Sequence, residues 1–128
     1  MKLLLDSHAV IWFVDQERLL SEAARAAIVD QGNQLFVSAG TIWEIAIKHS
    51  LGKLELSQPL RDWLLSALDD LDAIVLPITV QHVGCQATLP FHHRDPFDRL
   101  LAAQSAVEQM PVVSRDSVFD SYDVQRIW

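Results

Sequence analysis

The chain has 128 residues, half of them apolar, with a formal net charge of -7 and a pI near 5.0; this is enough for one domain over residues 1–128 with a core that needs no staples. The acidic balance excludes a protein that holds nucleic acid mainly through a basic surface, although not a nucleic-acid enzyme whose bound metal neutralises phosphate. The single cysteine, Cys85, excludes an internal disulfide and reads as a small buried hydrophobe. No apolar run approaches the ~18 residues of a membrane span, and Asp6 and His8 interrupt the opening run too early for a signal peptide, so a cytoplasmic protein is expected.

Lys2 to Leu5 is a short apolar run ending in Asp6, the pattern of a buried parallel strand meeting the edge of its sheet. His8 to Val14 follows as a helix, with Ala9, Trp12 and Phe13 at helical spacing and Ser7 as its cap. Ser21 caps a second helix, SEAARAAIVDQ, closed by Gly32, with Glu22 suited to the positive end of the helix dipole. Leu35 to Val37 is a brief strand. Ser38 then caps AGTIWEIAIKHSL, a helix that stops at Gly52 and turns Ile42, Ile45, Ala46 and Trp43 inward, leaving Glu44 near the border of the buried stripe.

The second half repeats the alternation. Ser57 opens QPLRDWLLSALDDLD, a helix with Leu60, Trp63, Leu64, Ala67, Leu68 and Leu71 on one face. Ala73 to Leu76 is a strand ended by Pro77, and Thr79 starts a short helix reaching Gln86. Ala87 to Arg94 reads as a polar loop whose His92-His93 pair faces solvent, since adjacent histidines do not readily share one tetrahedral zinc site. In RDPFDRLLAAQSA, Asp95 suits the N-cap and Pro96 the first helical position, with Asp98 completing an Asp-x-x-Asp variant of the capping box. Phe97, Leu100, Leu101 and Val107 trace one face, among small residues that let the helix lie close on a sheet. Pro111 to Ser114 and Val124 to Trp128 are the last strands.

Strands separated by helices, without linker or repeat, predict a parallel sheet covered by helices on both faces. In such α/β sheets the ligand crevice lies at the carboxyl ends of the strands. Asp6 and Asp116 each follow a strand, Asp98 lies in a first helical turn and Glu44 one to two turns into its helix, so all four carboxylates can reach that edge. Capping alone accounts for Asp95 and Asp98. If the acids do converge, one pair at ~5 Å and an effective dielectric of ~20 costs roughly 3 kcal/mol, which a divalent cation removes. Oxygen donors favour Mg²⁺, with Mn²⁺ able to substitute, over Zn²⁺. Ser114 can hold a water or satisfy backbone.

The segments LLLDSHAVIW, VSAGTIWEIAIK, LPFHHRDPFDRLLAAQ and VVSRDSVFDSYDVQRIW resemble, in order and spacing, the PIN-domain ribonucleases, specifically the VapC-type toxins of bacterial toxin-antitoxin pairs. The resemblance implies that Asp6, Glu44, Asp98 and Asp116 form the acidic quartet that binds Mg²⁺ and hydrolyses RNA. Ser114 and Ser7 stand where the family often has Thr, and Asp95 is carried over only as a cap beside the quartet. It implies as well a homodimer and a cognate antitoxin, combined in a hetero-oligomer, whose basic C-terminal segment blocks the crevice. Trp12, Phe13 and Trp43 then read either as its docking groove or as core, and Arg94 and Arg99 either as contacts to RNA phosphate or as exposed helix-start charges.

Other classes fit less well. A receiver domain requires an acidic pair after the first strand and a late lysine, whereas Asp6 stands alone and no lysine follows Lys53. A haloacid-dehalogenase-like phosphatase requires Asp-x-Asp where this chain has Asp6-Ser7-His8. A catalytically silent interaction module with the same fold remains the alternative to the enzyme.

Overall fold

The computed structural model describes all residues from Met1 to Trp128. Five strands, β1 (Lys2–Leu5), β2 (Gln34–Ser38), β3 (Ile74–Leu76), β4 (Val112–Val113) and β5 (Arg126–Ile127), form one wholly parallel sheet in the order β3-β2-β1-β4-β5. Six helices connect them: α1 (Ser7–Asp15), α2 (Glu22–Val29), α3 (Ala39–Ser50), α4 (Leu60–Asp70), α5 (Val80–Thr88) and α6 (Pro96–Glu108). Short 3-10 segments at Glu17–Leu19 and Ser117–Tyr122 complete the chain.

Alternation along each strand divides the core in two. Leu3 and Leu5 with Leu35, Val37 and Val113 face a cluster built on α1 to α4, which includes the fully buried Trp63. Leu4, Phe36 and Val112 face the other way, onto Leu101, Ala102, Phe119 and Tyr122. A central strand covered on both faces has to be apolar throughout, which is why Leu3, Leu4 and Leu5 are all fully buried. Trp63 brings its indole N–H into the core with a partner: Nε1 donates to the Asp15 carboxylate at 3.1 Å, and Ser57 Oγ donates to the same group. Asp15 is therefore committed to structure.

Local chemistry moves several boundaries. Asp6, not Ser7, caps α1, because its carboxylate accepts the Ala9 N–H; Ser7 is the first helical residue. The helix expected from Ser57 begins only at Leu60, behind Pro59, and α5 continues two residues beyond Gln86. Cys85 is half-buried, not buried, on α5. Trp43 is 62% exposed instead of turned inward. No helix is long and apolar enough to cross a membrane.

Candidate active site

Strand order reverses at β1, which has β2 and β3 on one side and β4 and β5 on the other, so the crevice expected of a parallel sheet opens at its carboxyl end. Asp6 is the first residue past that edge and is buried. Its Oδ1 accepts the Ala9 N–H at 2.8 Å, and its Oδ2 accepts the Ser114 hydroxyl at 2.5 Å. Ser114 Oγ in turn accepts the Asp116 backbone N–H at 3.0 Å, so the serine ties the ends of β1 and β4 together. Burial pushes the Asp6 carboxyl above the ordinary carboxylate range. The Ser114 and Ala9 hydrogen bonds and His8 draw it back, and the Glu44 charge pushes it up again.

Glu44 and Asp98 arrive on two helices that meet at the crevice. A Cβ on Gly40 would stand 2.6 Å from Leu100 Cδ2, so the glycine allows α3 to lie against α6. Glu44 is only 4% exposed, well inside the buried face and not at its border, and Lys48 one turn later donates to its Oε2 at 2.8 Å. Burial lowers the Lys48 ammonium, but the Glu44 hydrogen bond and charge, with Asp95 and Asp98, leave it raised. Asp98 carries the largest consequence. Burial first, then the charges of Asp95, Glu44 and Asp6, push its carboxyl up to about 7, with only His93 acting in the opposite sense.

Asp95 caps α6 as expected, its Oδ1 accepting the Phe97 N–H at 2.8 Å and the Asp98 N–H at 3.4 Å. The reciprocal half of a capping box is absent, because the Asp95 N–H donates to His93 Nδ1 at 2.9 Å. That leaves the Asp98 carboxylate facing the crevice. Asp116, half-exposed, caps the Ser117–Tyr122 segment through Oδ1, while Oδ2 lies 3.6 Å from His93 Nε2. The same nitrogen is 3.0 Å from Asp98 Oδ2. His93 is therefore no solvent-facing loop histidine, and only its neighbour His92 lies exposed, edge-on to Tyr122. One potential ligand atom from each of His93, Asp98 and Asp116 falls within 4.8 Å of the others.

Two of the other sequence-derived roles change. Arg99 is neither an RNA contact nor an exposed charge: it is buried, and its guanidinium donates to Pro90 O at 2.7 Å, Gln86 O at 3.0 Å and Leu89 O at 3.2 Å. From α6 it pins the end of α5 and the start of the loop that carries His93. Trp43 stands beside the crevice with Phe97 edge-on at 5.5 Å, one residue before Glu44 and Asp98 respectively. Trp12 and Phe13 are half-buried against the α1 to α4 core, and Arg94 stays exposed. Sequence reasoning missed His93, Lys48 and the inward course of Arg99. The Glu44-Lys48 spacing of four did signal a pair, but nothing in the loop sequence marked His93.

The donor set suits a hard divalent cation. The Glu44 charge helps raise both the Asp6 and the Asp98 carboxyls, and the only lysine or arginine bonded to these three acids is Lys48, on Glu44. An oxygen-rich set with this deficit of positive charge fits a divalent cation and offers no thiolate for a softer metal. A surface cleft of about 890 Å³ lies at the opposite edge of the sheet, lined in part by Ile28, Gln34, Leu35 and Asp70; none of the four acids borders it.

The pattern of the PIN domain matches residues 3–125. The chain belongs to the PIN domain family. Ribonuclease VapC22 of Mycobacterium tuberculosis is 27% identical over 113 residues, which are 88% of this chain and 85% of that protein. Among solved structures, VapBC2 from Rickettsia felis bound to a DNA fragment from their promoter superposes with a TM-score of 0.75 at 11% identity. The match covers 98% of this PIN domain chain and 97% of that one. FitAcB from Neisseria gonorrhoeae superposes with a TM-score of 0.66 at 18% identity, over 97% and 95% of the two chains. At these identities the superpositions establish the fold.

Proposed function

We propose that residues 1–128 form one PIN domain acting as a divalent-cation-dependent endoribonuclease, the toxin of a toxin-antitoxin pair. The observation that carries this reading is the crowding of Asp6, Glu44 and Asp98, from three different elements, into one crevice where Asp98 is held at about 7. Such repulsion is retained at functional sites and has no use in a silent scaffold. The likeness to a ribonuclease named VapC22 supports the reaction, and the likeness to VapBC and FitAB pairs supports a cognate antitoxin.

Asp6, Asp98 and Asp116 would hold Mg²⁺ or Mn²⁺, with Glu44 at its margin. When bound, that cation supplies Lewis-acid polarisation of a phosphoryl oxygen and a lowered pKa for water. Glu44, steadied by Lys48, orients the attacking water and accepts its proton. Ser114, just past β4, holds Asp6 in place, so the carboxylate is pre-positioned as a cation ligand. The antitoxin would close the same crevice with a basic residue, which these acids are arranged to receive, and the toxin would act as a homodimer. Cleavage of single-stranded RNA by chelator-treated protein resupplied with Mg²⁺ or Mn²⁺ tests the reading. Asp98→Asn is expected to abolish cleavage, while Asp95→Asn keeps it, because Asn caps a helix about as well as Asp. A fully active Asp98→Asn would overturn the assignment.

A further inference from the structure

We propose that His93 is a positioning residue: its Nε2–H holds the Asp98 carboxylate in place, and its ring does not itself ligate the divalent cation. The inference rests on the cation reading of the crevice and adds to it a residue that the acidic quartet does not contain.

The hydrogen bonds around the ring decide its tautomer. Nδ1 lies 2.9 Å from the Asp95 backbone nitrogen, which can only donate, so Nδ1 must offer its lone pair. In the neutral imidazole the proton then sits on Nε2. That nitrogen faces Asp98 Oδ2 at 3.0 Å and Asp116 Oδ2 at 3.6 Å, both acceptors. A nitrogen that carries a proton has no lone pair for a metal, so a His93-Asp98-Asp116 ligand set would first have to break the Asp95 hydrogen bond. Carboxylates that bind metals are themselves steadied by hydrogen bonds, and the geometry gives His93 that task.

The backbone around His93 is fixed as firmly as its ring. The His93 N–H donates to Tyr122 Oη at 2.8 Å, and Tyr122 is buried in the core beneath α6. Arg99 anchors the preceding turn through three carbonyls, and Gln86 Nε2 donates to Pro96 O at 3.1 Å. The loop from Leu89 to Asp95 is thus held at both ends and in the middle, with the imidazole as its contribution to the crevice.

Mn²⁺ serves as the probe, because it reports both affinity and ligand identity. His93→Ala is expected to weaken Mn²⁺ binding by about 10-fold or more, the usual effect of removing a partner that orients a ligand. His93→Gln, which carries an N–H at comparable reach, is expected to restore affinity to within about 3-fold. Pulsed electron paramagnetic resonance of the wild-type complex should show no histidine nitrogen coupled to Mn²⁺. Nitrogen NMR of the metal-free protein should show the ring proton on Nε2 with Nδ1 bare, assigned by its loss in His93→Gln. A nitrogen coupling that vanishes in His93→Ala, or an unchanged affinity in that variant, would overturn the proposal, as would a ring protonated at Nδ1. Should His93→Ala fail to fold, the two wild-type spectra decide the matter. Absence of any Mn²⁺ binding by wild type would overturn the cation reading beneath it, and the tautomer in the same sample separates that failure from an error in the His93 geometry.

Discussion

Replacing Asp98 by Asn should stabilise the metal-free protein at neutral and alkaline pH. The unfolded chain releases the Asp98 proton near the ordinary 3.8, but the folded crevice releases it only at about 7. Between those values the native state binds more protons than the unfolded state, so stability falls as pH rises and the full loss is present above about 7. Lifting a carboxyl over that interval corresponds to about 4 kcal/mol as a ceiling, and relaxation and solvent access around a side chain about one-fifth exposed reduce it to about 2 kcal/mol. Asn keeps an acceptor for His93 Nε2–H while removing the charge that Asp95, Glu44 and Asp6 oppose. Urea unfolding of chelator-treated wild type and Asp98→Asn measures the difference. At about pH 8 the variant should be more stable by about 2 kcal/mol, and near pH 4 the gap should shrink below about 1 kcal/mol as both states of the wild type take up the proton. A variant less stable than wild type at the higher pH, or a gap independent of pH, would refute the electrostatic account.

Metal should act in the opposite direction to that repulsion. Mn²⁺ or Mg²⁺ at about ten times its Kd is expected to add ~1.4 kcal/mol, raising the Tm by roughly 3 to 6 °C in a thermal melt. Asp6→Asn and Asp98→Asn should lose most of the effect, and sodium chloride of equal ionic strength should not reproduce it; equal shifts in all three proteins would indicate screening alone. Arg99→Ala removes three charge-assisted hydrogen bonds from a buried position, so unfolding titrations should show a loss of about 3 kcal/mol or more. Trp43→Ala should cost under about 1 kcal/mol because the ring stands in solvent, whereas Trp63→Ala, fully buried and bonded to Asp15, should cost about 3 to 5 kcal/mol.

The parallel sheet was legible because its strands are buried on both faces and read as unbroken apolar runs, with Leu3 to Leu5 the plainest. Asp6 and Asp116 could be placed at the crevice by the same logic, since each follows a strand. Glu44 was harder to place: its helix is apolar around much of its circumference, and sequence periodicity set the acid at a border that packing against α6 encloses. Arg99 was misread for a related reason. A charge in the second turn of a helix ordinarily faces water, and only the fold of the preceding loop creates the three carbonyls that take it inward. His93 depended on that same loop, whose shape arises from contacts with Tyr122, distant in sequence, and with Arg99 of α6.

The wholly parallel arrangement also sets the direction of every helix that follows a strand. At the carboxyl edge of the sheet β1 runs straight into α1 and β2 into α3, β4 leads within a few residues to the Ser117–Tyr122 segment, and α6 starts beside them. Their N–H ends therefore point toward one place, each with a partial positive charge equivalent to roughly half a proton on a full helix. Asp6, Asp95 and Asp116 each use one carboxylate oxygen to accept from such an end, which steadies the acids in a chain whose net charge is -7. This electropositive backbone needs no lysine or arginine and does not titrate. An acidic protein thereby carries, as part of its chain direction, a fixed positive field that offsets the mutual repulsion of the carboxylates gathered at that edge.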